Sequence, residues 1–254
     1  MNKDEERAAR QTQAAEPLYK QIERDILQCL ARGEWKPGAQ LPTEAELAAR
    51  FGVAIFTVRA GIGELVDSGI LTRQQGKGTF VVRHERDRSR QNYSRIYYSD
   101  GRRIIPTHER VIRFAKQRGT SALVESLNLD EHKAPFVYAW DTLVHVGENC
   151  VSLRHLVVPA HLFPGLSAKV FDDNEQNIYS LYQDGWGVTV LRLEERISSA
   201  LAGRRVAELL GIKPGAPLLQ VDRVAFTYNN VPVELRSRVY DSSRFHYRSE
   251  LNGI

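Results

Sequence analysis

Cysteine is scarce in this sequence, with two residues, Cys29 and Cys150, among 254. They form no metal-ligand spacing and no disulfide framework, which leaves them as ordinary buried thiols. Long hydrophobic runs are missing too. No stretch approaches the roughly 18 consecutive apolar residues that a membrane helix requires. Met1 to Glu16 is polar and mixed in charge, without the apolar core of a signal peptide, so a cytoplasmic protein with no membrane partner is expected. Neither sign of charge dominates: 35 Lys and Arg against 31 Asp and Glu leave +4, with a pI near 9.1. Such a balance permits a polyanionic partner without demanding one. Hydrophobic residues at 42% and charged residues at 26% exclude a disordered chain, a collagen-like fibre and a coiled-coil rod. The length suits two ordinary domains better than one.

The positive charge is gathered rather than spread. Between Arg83 and Arg118 there are eleven Lys or Arg against four acids, a pattern that reads as a solvated linker unless a nucleic-acid-binding element adjoins it. Such an element precedes it. Leu18, Ile22, Ile26, Leu27 and Leu30 recur at helical spacing up to Gly33 and Pro37-Gly38, predicting one amphipathic helix. Thr43 and Glu46 stand at the spacing of a capping box, which opens a short second helix that Gly52 stops. A third helix is predicted over about Ile55 to Ser68. Residues 70–74 and 79–82 flank Gln75-Gly76-Lys77-Gly78 as a hairpin with a glycine-rich tip. Helix, turn and helix followed by a hairpin make a winged helix-turn-helix, in which the third helix enters the DNA major groove. Thr57 and Arg59 in its first turns are the candidate base readers, Thr43 is a further DNA-binding candidate, and Arg73, Gln75, Gly76 and Lys77 of the wing are candidates for backbone or minor-groove contact.

Several motifs carry a family resemblance: Pro17-Leu18-Tyr19, Leu41-Pro42-Thr43-Glu44, Phe51-Gly52-Val53, Thr57-Val58-Arg59 and Gly76-x-Gly78-Thr79-Phe80-Val81. Together they resemble the DNA-binding domain of the GntR family of bacterial transcription regulators. Two places depart from that pattern. A Ser-Arg pair usually begins the third helix and an Arg follows the Glu that opens the second, whereas Ala54-Ile55 and Ala45 occur here. The resemblance therefore implies two missing DNA-contacting cations, and Ala54 forgoes a cap worth about 1 kcal/mol. Gly61 and Gly63 each cost roughly 1 kcal/mol relative to Ala in a helix. Either Ile55 or Phe56 meets thymine methyls in an unusual operator, or affinity rests on the wing and the N-terminal segment.

Beyond residue 105 strands dominate: about 136–146, 151–158, 188–198, 218–227 and 231–240 are predicted, the last two joined by Tyr228-Asn229-Asn230. Helices are predicted near 121–127, 178–184 and 203–210, giving an α+β fold built on an antiparallel sheet. Leu156-Val157-Val158-Pro159, Phe163-Pro164-Gly165-Leu166, Ile178-Tyr179-Ser180-Leu181 and Val231-Pro232-Val233-Glu234 resemble the UTRA effector domain of the HutC (histidine-utilisation-repressor) branch, with its chorismate-lyase-like fold. The expected layout is a flexible N-terminus over 1–15, a winged domain over 16–83, a basic linker over 84–104 and an effector-binding and dimerisation domain over 105–254. The resemblance implies that Asn177, Tyr179, Glu234 and Tyr240 face an effector. Arg154 stands where relatives often carry an acid, which favours an anionic effector because Arg grips carboxylates bidentately; an internal salt bridge from Arg154 to Glu234 is the competing reading. Arg95, with Tyr93, Tyr97 and Tyr98, forms either a lid or interdomain packing.

The implied function is a metabolite-responsive repressor acting as a homodimer on double-stranded operator DNA with an inverted repeat. Two alternatives stand beside it, a DNA-bound dimer without an effector and an enzyme of chorismate-lyase-like fold. The seven histidines are scattered and no catalytic constellation assembles from the sequence, so no enzymatic activity, no cofactor and no metal are expected.

Overall fold

The computed structural model describes residues 17–83, 95–133, 135–172 and 177–249. The chain divides into two compact units, Met1–Arg83 and His84–Ile254. The N-terminal segment 1–15, the stretch 84–94 of the expected linker and Tyr93 lie outside the described residues.

In the first unit, α1 (Leu18–Ala31) buries Ile22, Ile26, Cys29 and Leu30 along one face, as its periodicity requires. Helix α2 (Glu44–Phe51) begins at the capping box: Glu46 N–H donates to Thr43 Oγ1 at 3.3 Å, and Thr43 N–H donates back to Glu46 Oε2 at 2.8 Å. It ends on Gly52 with φ +68°. Helix α3 (Ile55–Asp67) has no side-chain hydrogen bond at its Ala54 cap, as expected. It buries Val58, Ile62 and Leu65, and the hairpin of β1 (Leu71–Gln74) and β2 (Gly78–Val81) closes the core with Leu71 and Val81. The two helix glycines are not equivalent. A Cβ at Gly61 would stand 2.9 Å from the Tyr19 carbonyl oxygen, whereas one at Gly63 would meet nothing within 4 Å. Gly61 therefore permits the α1–α3 crossing, a packing role that the propensity argument did not contain.

In the second unit β3 (Ile96–Tyr98) pairs with β10 (Phe245–Tyr247). Both the buried Ile96 and Ile104 join a cluster with Val144, Val151, Val221 and Tyr240, so residues 96–104, expected as linker, are folded into this unit. The main sheet is antiparallel with the order β4-β5-β6-β9-β8-β7. Its strands are β4 (His108–Arg118), β5 (Phe136–Val146), β6 (Asn149–Pro159), β7 (Arg192–Leu201), β8 (Pro217–Phe226) and β9 (Pro232–Asp241). Strand β4 was hidden in the basic segment because its four cations mask a weak alternation; charged side chains suit an edge strand. Asn229 and Asn230 take positive φ, 57° and 55°, at the β8–β9 turn.

Each face of the sheet carries its own helices. Between β4 and β5 lies α4 (Ser121–Ser126); α5 (Lys169–Asp172) and α6 (Ile178–Trp186) precede β7; and α7 (Arg204–Leu210) follows it. Helix α6 packs Tyr179 and Tyr182 with Tyr138, Trp140, Leu156, Val158 and Ala225. On the opposite face Leu123 of α4 meets Val137, Val157 and Leu235, while Ala207 and Leu210 of α7 meet Leu153 and Val239. Register fixes the distribution, since residues opposite one another on paired antiparallel strands share a face.

Candidate DNA-binding surface and effector chamber

The first turn of α3 is bare of cations and rich in apolar surface: Phe56 is 79% exposed and Ile55 46% exposed. Arg59, one turn further, is exposed but not idle. Its Nε donates to Glu44 Oε2 at 2.8 Å, and the other Glu44 oxygen lies 3.6 Å from Arg73 Nη2 on β1. Glu44 thus ties the recognition helix to the base of the wing and aims both cations along one surface. The Thr43 hydroxyl donates to Glu46 Oε2 at 2.8 Å and accepts from the Glu46 amide, so the capping box occupies it. Thr57 is half-buried. At the wing tip Gln75, Gly76 and Lys77 are exposed, and Gly76 adopts φ +71°. Gln40 Nε2 donates to the Lys77 carbonyl at 2.7 Å and comes so near Gly78 that a Cβ there would stand 2.6 Å away. Gln40 shapes the wing, a role with no sequence signal.

In the second unit the sheet face under α6 holds a chamber of charged side chains. Leu156, Arg236, Arg223 and Glu195 stand in one cross-strand row, with Arg154 paired to Arg238 beside it. Arg223, Arg236, Arg238 and Glu234 are all buried. Glu234 Oε2 accepts from Arg236 Nη2 at 2.7 Å and from the Tyr182 hydroxyl at 2.7 Å, and its Oε1 accepts from the Tyr179 hydroxyl at 3.3 Å. Glu195 Oε1 accepts from Arg223 Nη2 and from Arg238 Nη2, each at 2.6 Å, while its other oxygen accepts from the Tyr247 hydroxyl at 2.7 Å. Arg95, exposed, reaches that same Tyr247 hydroxyl at 3.4 Å.

Burial alone would push both carboxyls up. Arg236, Tyr182 and Arg223 nonetheless hold Glu234 below the ordinary carboxylate range, and Arg223, Arg238 and Tyr247 do the same for Glu195. Burial drives the Tyr182 hydroxyl well above its usual range, and the neighbouring Glu234 charge adds to that. Desolvation, then the like charges of Arg223 and Arg236, pull the Arg238 guanidinium down. Three buried guanidinium groups against two carboxylates leave one positive charge in excess among these five groups. Hydrogen-bonding capacity is also in excess: the Nε atoms of Arg154, Arg236 and Arg238 and the Nδ2 of Asn177 are buried without an acceptor. Buried donors normally find partners, and these four have none among the described side chains.

The residues expected to face an effector are placed unequally. Tyr179 and Glu234 meet in the chamber. Asn177 caps α6, its Oδ1 accepting from the Tyr179 amide at 3.0 Å, and presents its free Nδ2. Tyr240 packs into the neighbouring apolar cluster with Phe245. Arg154 faces the chamber, but its Nη1 donates to Glu109 at 2.7 Å. The competing salt bridge from Arg154 to Glu234 is not formed, because Arg236 occupies that carboxylate from the same strand. The reading by sequence missed Arg223, Arg236, Arg238, Glu195 and Tyr182. A signal was present in β9, where Glu234, Arg236, Arg238 and Tyr240 stand at every second position and alternate with Leu235, Ser237 and Val239, as side chains on one face must. On the opposite face, a groove of about 410 Å³ is lined by Leu123, His155, Val157, Leu235 and Ser237 among others; His155 Nδ1 lies 2.6 Å from Asp141 Oδ1 there.

Comparison with known proteins agrees with both halves of this description. Residues 18–81 match the family described as bacterial regulatory proteins, gntR family, and residues 105–246 match the UTRA domain. The chain is 26% identical over 239 residues to the HTH-type transcriptional repressor NagR of Bacillus subtilis, covering 93% of this chain and 96% of that protein. It is 31% identical over 247 residues to an HTH-type transcriptional regulator of Mycobacterium tuberculosis, covering 94% and 82%. Among solved structures, the ligand-binding domain of a GntR-family regulator from Bordetella bronchiseptica superposes with a TM-score of 0.58 at 25% identity, over 67% of this chain and all of that one. The relatives are transcriptional regulators, not enzymes. Among the described residues, no helix is long and apolar enough to cross a membrane.

Proposed function

We infer that this chain, which belongs to the GntR family of bacterial regulatory proteins and represses transcription by binding DNA, acts as a homodimer on an inverted-repeat operator. A small anionic metabolite held by its UTRA domain releases it. One winged domain reads a half-site, and a two-fold dimer supplies the other half. In this reading Arg59, Thr57 and the wing residues Arg73, Gln75, Gly76 and Lys77 hold the duplex beside Thr43. Phe56 and Ile55, exposed where the family carries a cation, offer apolar contact to thymine methyls.

The observation that supports the effector reading is the chamber's surplus of guanidinium donors. Arg236, Arg238 and Arg154 offer buried Nε groups that lack acceptors, Asn177 adds an amide, and a carboxylate or phosphate completes them. Glu234 and Tyr179 then take hydroxyl or amino groups at the other end, with Tyr240 and Arg95 at the margins. Relatives are named for fructoselysine utilisation and for mannosyl-D-glycerate transport and metabolism, and both of those compounds bear a carboxylate. Thermal shift of the full chain against a panel of carboxylated and phosphorylated metabolites tests this, because a ligand of the native state raises apparent stability. A panel in which neutral sugars stabilise and anions do not overturns the anionic effector. A complete absence of stabilisation favours the DNA-bound dimer without an effector.

A further inference from the structure

We propose that the outer face of the small β3–β10 sheet is a second DNA-contacting surface, which grips the phosphate backbone of the duplex. This rests on the operator reading and adds to it a contact made by the second unit. Around β3 the chain reads Arg95-Ile96-Tyr97-Tyr98, and around β10 it reads Arg244-Phe245-His246-Tyr247-Arg248. Ile96 and Phe245 turn inward to the core, so Arg95, Tyr97, Arg244, His246 and Arg248 stand at the outward positions. Arg103 joins the same row, because it bridges to Tyr97 just as Tyr97 pairs with His246. The face therefore holds four arginines, a histidine and a tyrosine, and no acid among the described residues.

Two features separate this face from an ordinary solvated patch. The Arg248 N–H donates to the Arg95 carbonyl at 2.9 Å, which sets two arginines directly opposite one another. Like charges in that position are destabilising, and an anion lying between them offsets the cost. The arginines are also supported from below. The Arg103 and Arg248 guanidinium groups lie 6.0 and 5.6 Å from the centre of the Tyr97 ring, and His246 stacks on that ring at 6.0 Å. Cation–π contact holds a guanidinium by its flat face, whereas its N–H donors lie at the edge.

The same contacts select the ligand. Because the Tyr97 ring is occupied by its own chain, it offers no platform for stacking a nucleobase, which favours phosphates. From Arg244 to Arg248 the strand rises about 13 Å, and over that length one DNA strand presents about four phosphates. Arg95, Arg244, His246 and Arg248 are all exposed, so a duplex backbone reaches them.

Fluorescence anisotropy of the full chain on a duplex carrying the operator with unrelated flanks, over a series of salt concentrations, tests the face. Arg244→Gln with Arg248→Gln removes two cations, and Arg113→Gln with Arg118→Gln on β4 removes the same charge elsewhere in the unit. Each lost phosphate contact lowers the salt slope by about 0.9, so the first pair should flatten it by about 1.8 per protomer. Between about 50 and 200 mM salt, wild-type affinity should then fall about tenfold more than the variant's for each protomer's two contacts. The β4 pair should keep the wild-type slope, and Arg244→Lys with Arg248→Lys should keep most of it, since the charge remains. Equal slopes for wild type and the first pair, or equal flattening by both glutamine pairs, overturn the face as a distinct DNA contact. Calorimetric binding of ATP that wild type shows and the first pair loses, with equal DNA slopes, overturns the duplex in favour of a free nucleotide. A wild type without preference for its operator, yet with a steeper slope than the first pair, overturns the operator reading and leaves the face standing.

Discussion

Replacing Arg236 by Met should destabilise the effector domain by about 3 to 5 kcal/mol, because it strands a charge instead of removing a bond. Glu234 is fully buried, and Arg236 donates to it as a cation at 2.7 Å; Tyr182 and Tyr179 remain but bring no charge. Breaking a buried pair by deleting one member typically costs that much. For a domain of this size, about 2 to 4 °C accompanies each kcal/mol, so the melting temperature should fall by roughly 6 to 20 °C. Removing the second charge as well, in Arg236→Met with Glu234→Gln, should recover most of the loss, which a double-mutant cycle reads as a large coupling. The pH response gives an independent sign. In wild type Arg236 holds the Glu234 carboxyl below its ordinary value, so this group's stabilising contribution is present above the unfolded pKa and lost as pH falls through the folded one. Without Arg236, desolvation governs and the carboxyl rises above its unfolded value. The destabilisation is then full at high pH and relaxes as pH falls through that raised value toward the unfolded one. Urea and thermal unfolding followed by far-UV circular dichroism at pH 8, 7, 6 and 5 measures both. A loss below about 1 kcal/mol, or a gap between wild type and variant that stays constant with pH, would show that water reaches Glu234 and refute the desolvated chamber.

Gly61→Ala should destabilise the winged domain, since its Cβ would stand 2.9 Å from the Tyr19 carbonyl, whereas Gly63→Ala, with open space around it, should stabilise it by roughly 1 kcal/mol; equal effects in thermal melts would contradict the close α1–α3 crossing. Ala54→Ser should supply the absent cap of α3 and add about 0.5 to 2 kcal/mol, unless its melting temperature matches wild type. Lys77→Ala should weaken all DNA sequences alike and lower the salt slope by about one per half-site, while Arg59→Ala, if the arginine leaves Glu44 to read a base, should cost about 1 to 3 kcal/mol at one operator position; fluorescence titration at several salt concentrations separates the two. His145, whose pKa is lowered by burial, by His108 stacked 4.5 Å away and by Arg110, stabilises the fold in its neutral form, so the contribution is present above the unfolded histidine range and lost as pH falls through it. His145→Gln should therefore lose less melting temperature than wild type between pH 7.5 and 5.5, and parallel curves would argue against it.

Local rules made the winged domain readable. Its capping box, the positive φ of Gly52 and the wing glycines are each decided by neighbours within four residues, and each appears where the spacing put it. The strand boundaries of 136–146 were equally legible because turn residues bracket an apolar run. Strand β4 was not, since its pairing with β5 is a long-range fact and its cations look like linker charge. The pairing of β3 with β10 joins residues about 150 positions apart, which no window along the chain can register. For the same reason the chamber was only half seen: Glu234 and Tyr179 came from motif resemblance, while Arg223 and Glu195 enter through the β8–β9 and β7–β8 registers.

The arginines of the chamber carry a physical argument that the motif could not supply. Arg236 and Arg238 are two residues apart on β9, and Arg223 pairs opposite Arg236 on β8, so three like charges share one small buried face. Desolvation first, and then the like charges of Arg223 and Arg236, pull the Arg238 guanidinium down, since like charges in a low dielectric raise one another's electrostatic cost. Glu195 offsets part of that cost by bridging Arg223 and Arg238, and Glu234 does so for Arg236, yet one positive charge remains. A fold selected for stability alone gains from replacing such a cluster with apolar side chains. The remaining charge and its unfilled Nε donors are accounted for if the chamber is completed by an anion, and the same anion must then compete with Glu195 for Arg223 and Arg238. Effector affinity and the local arrangement of β7 are thereby linked, and the linkage is reciprocal: whatever holds β7 in place must alter effector affinity by the same factor as the effector alters β7.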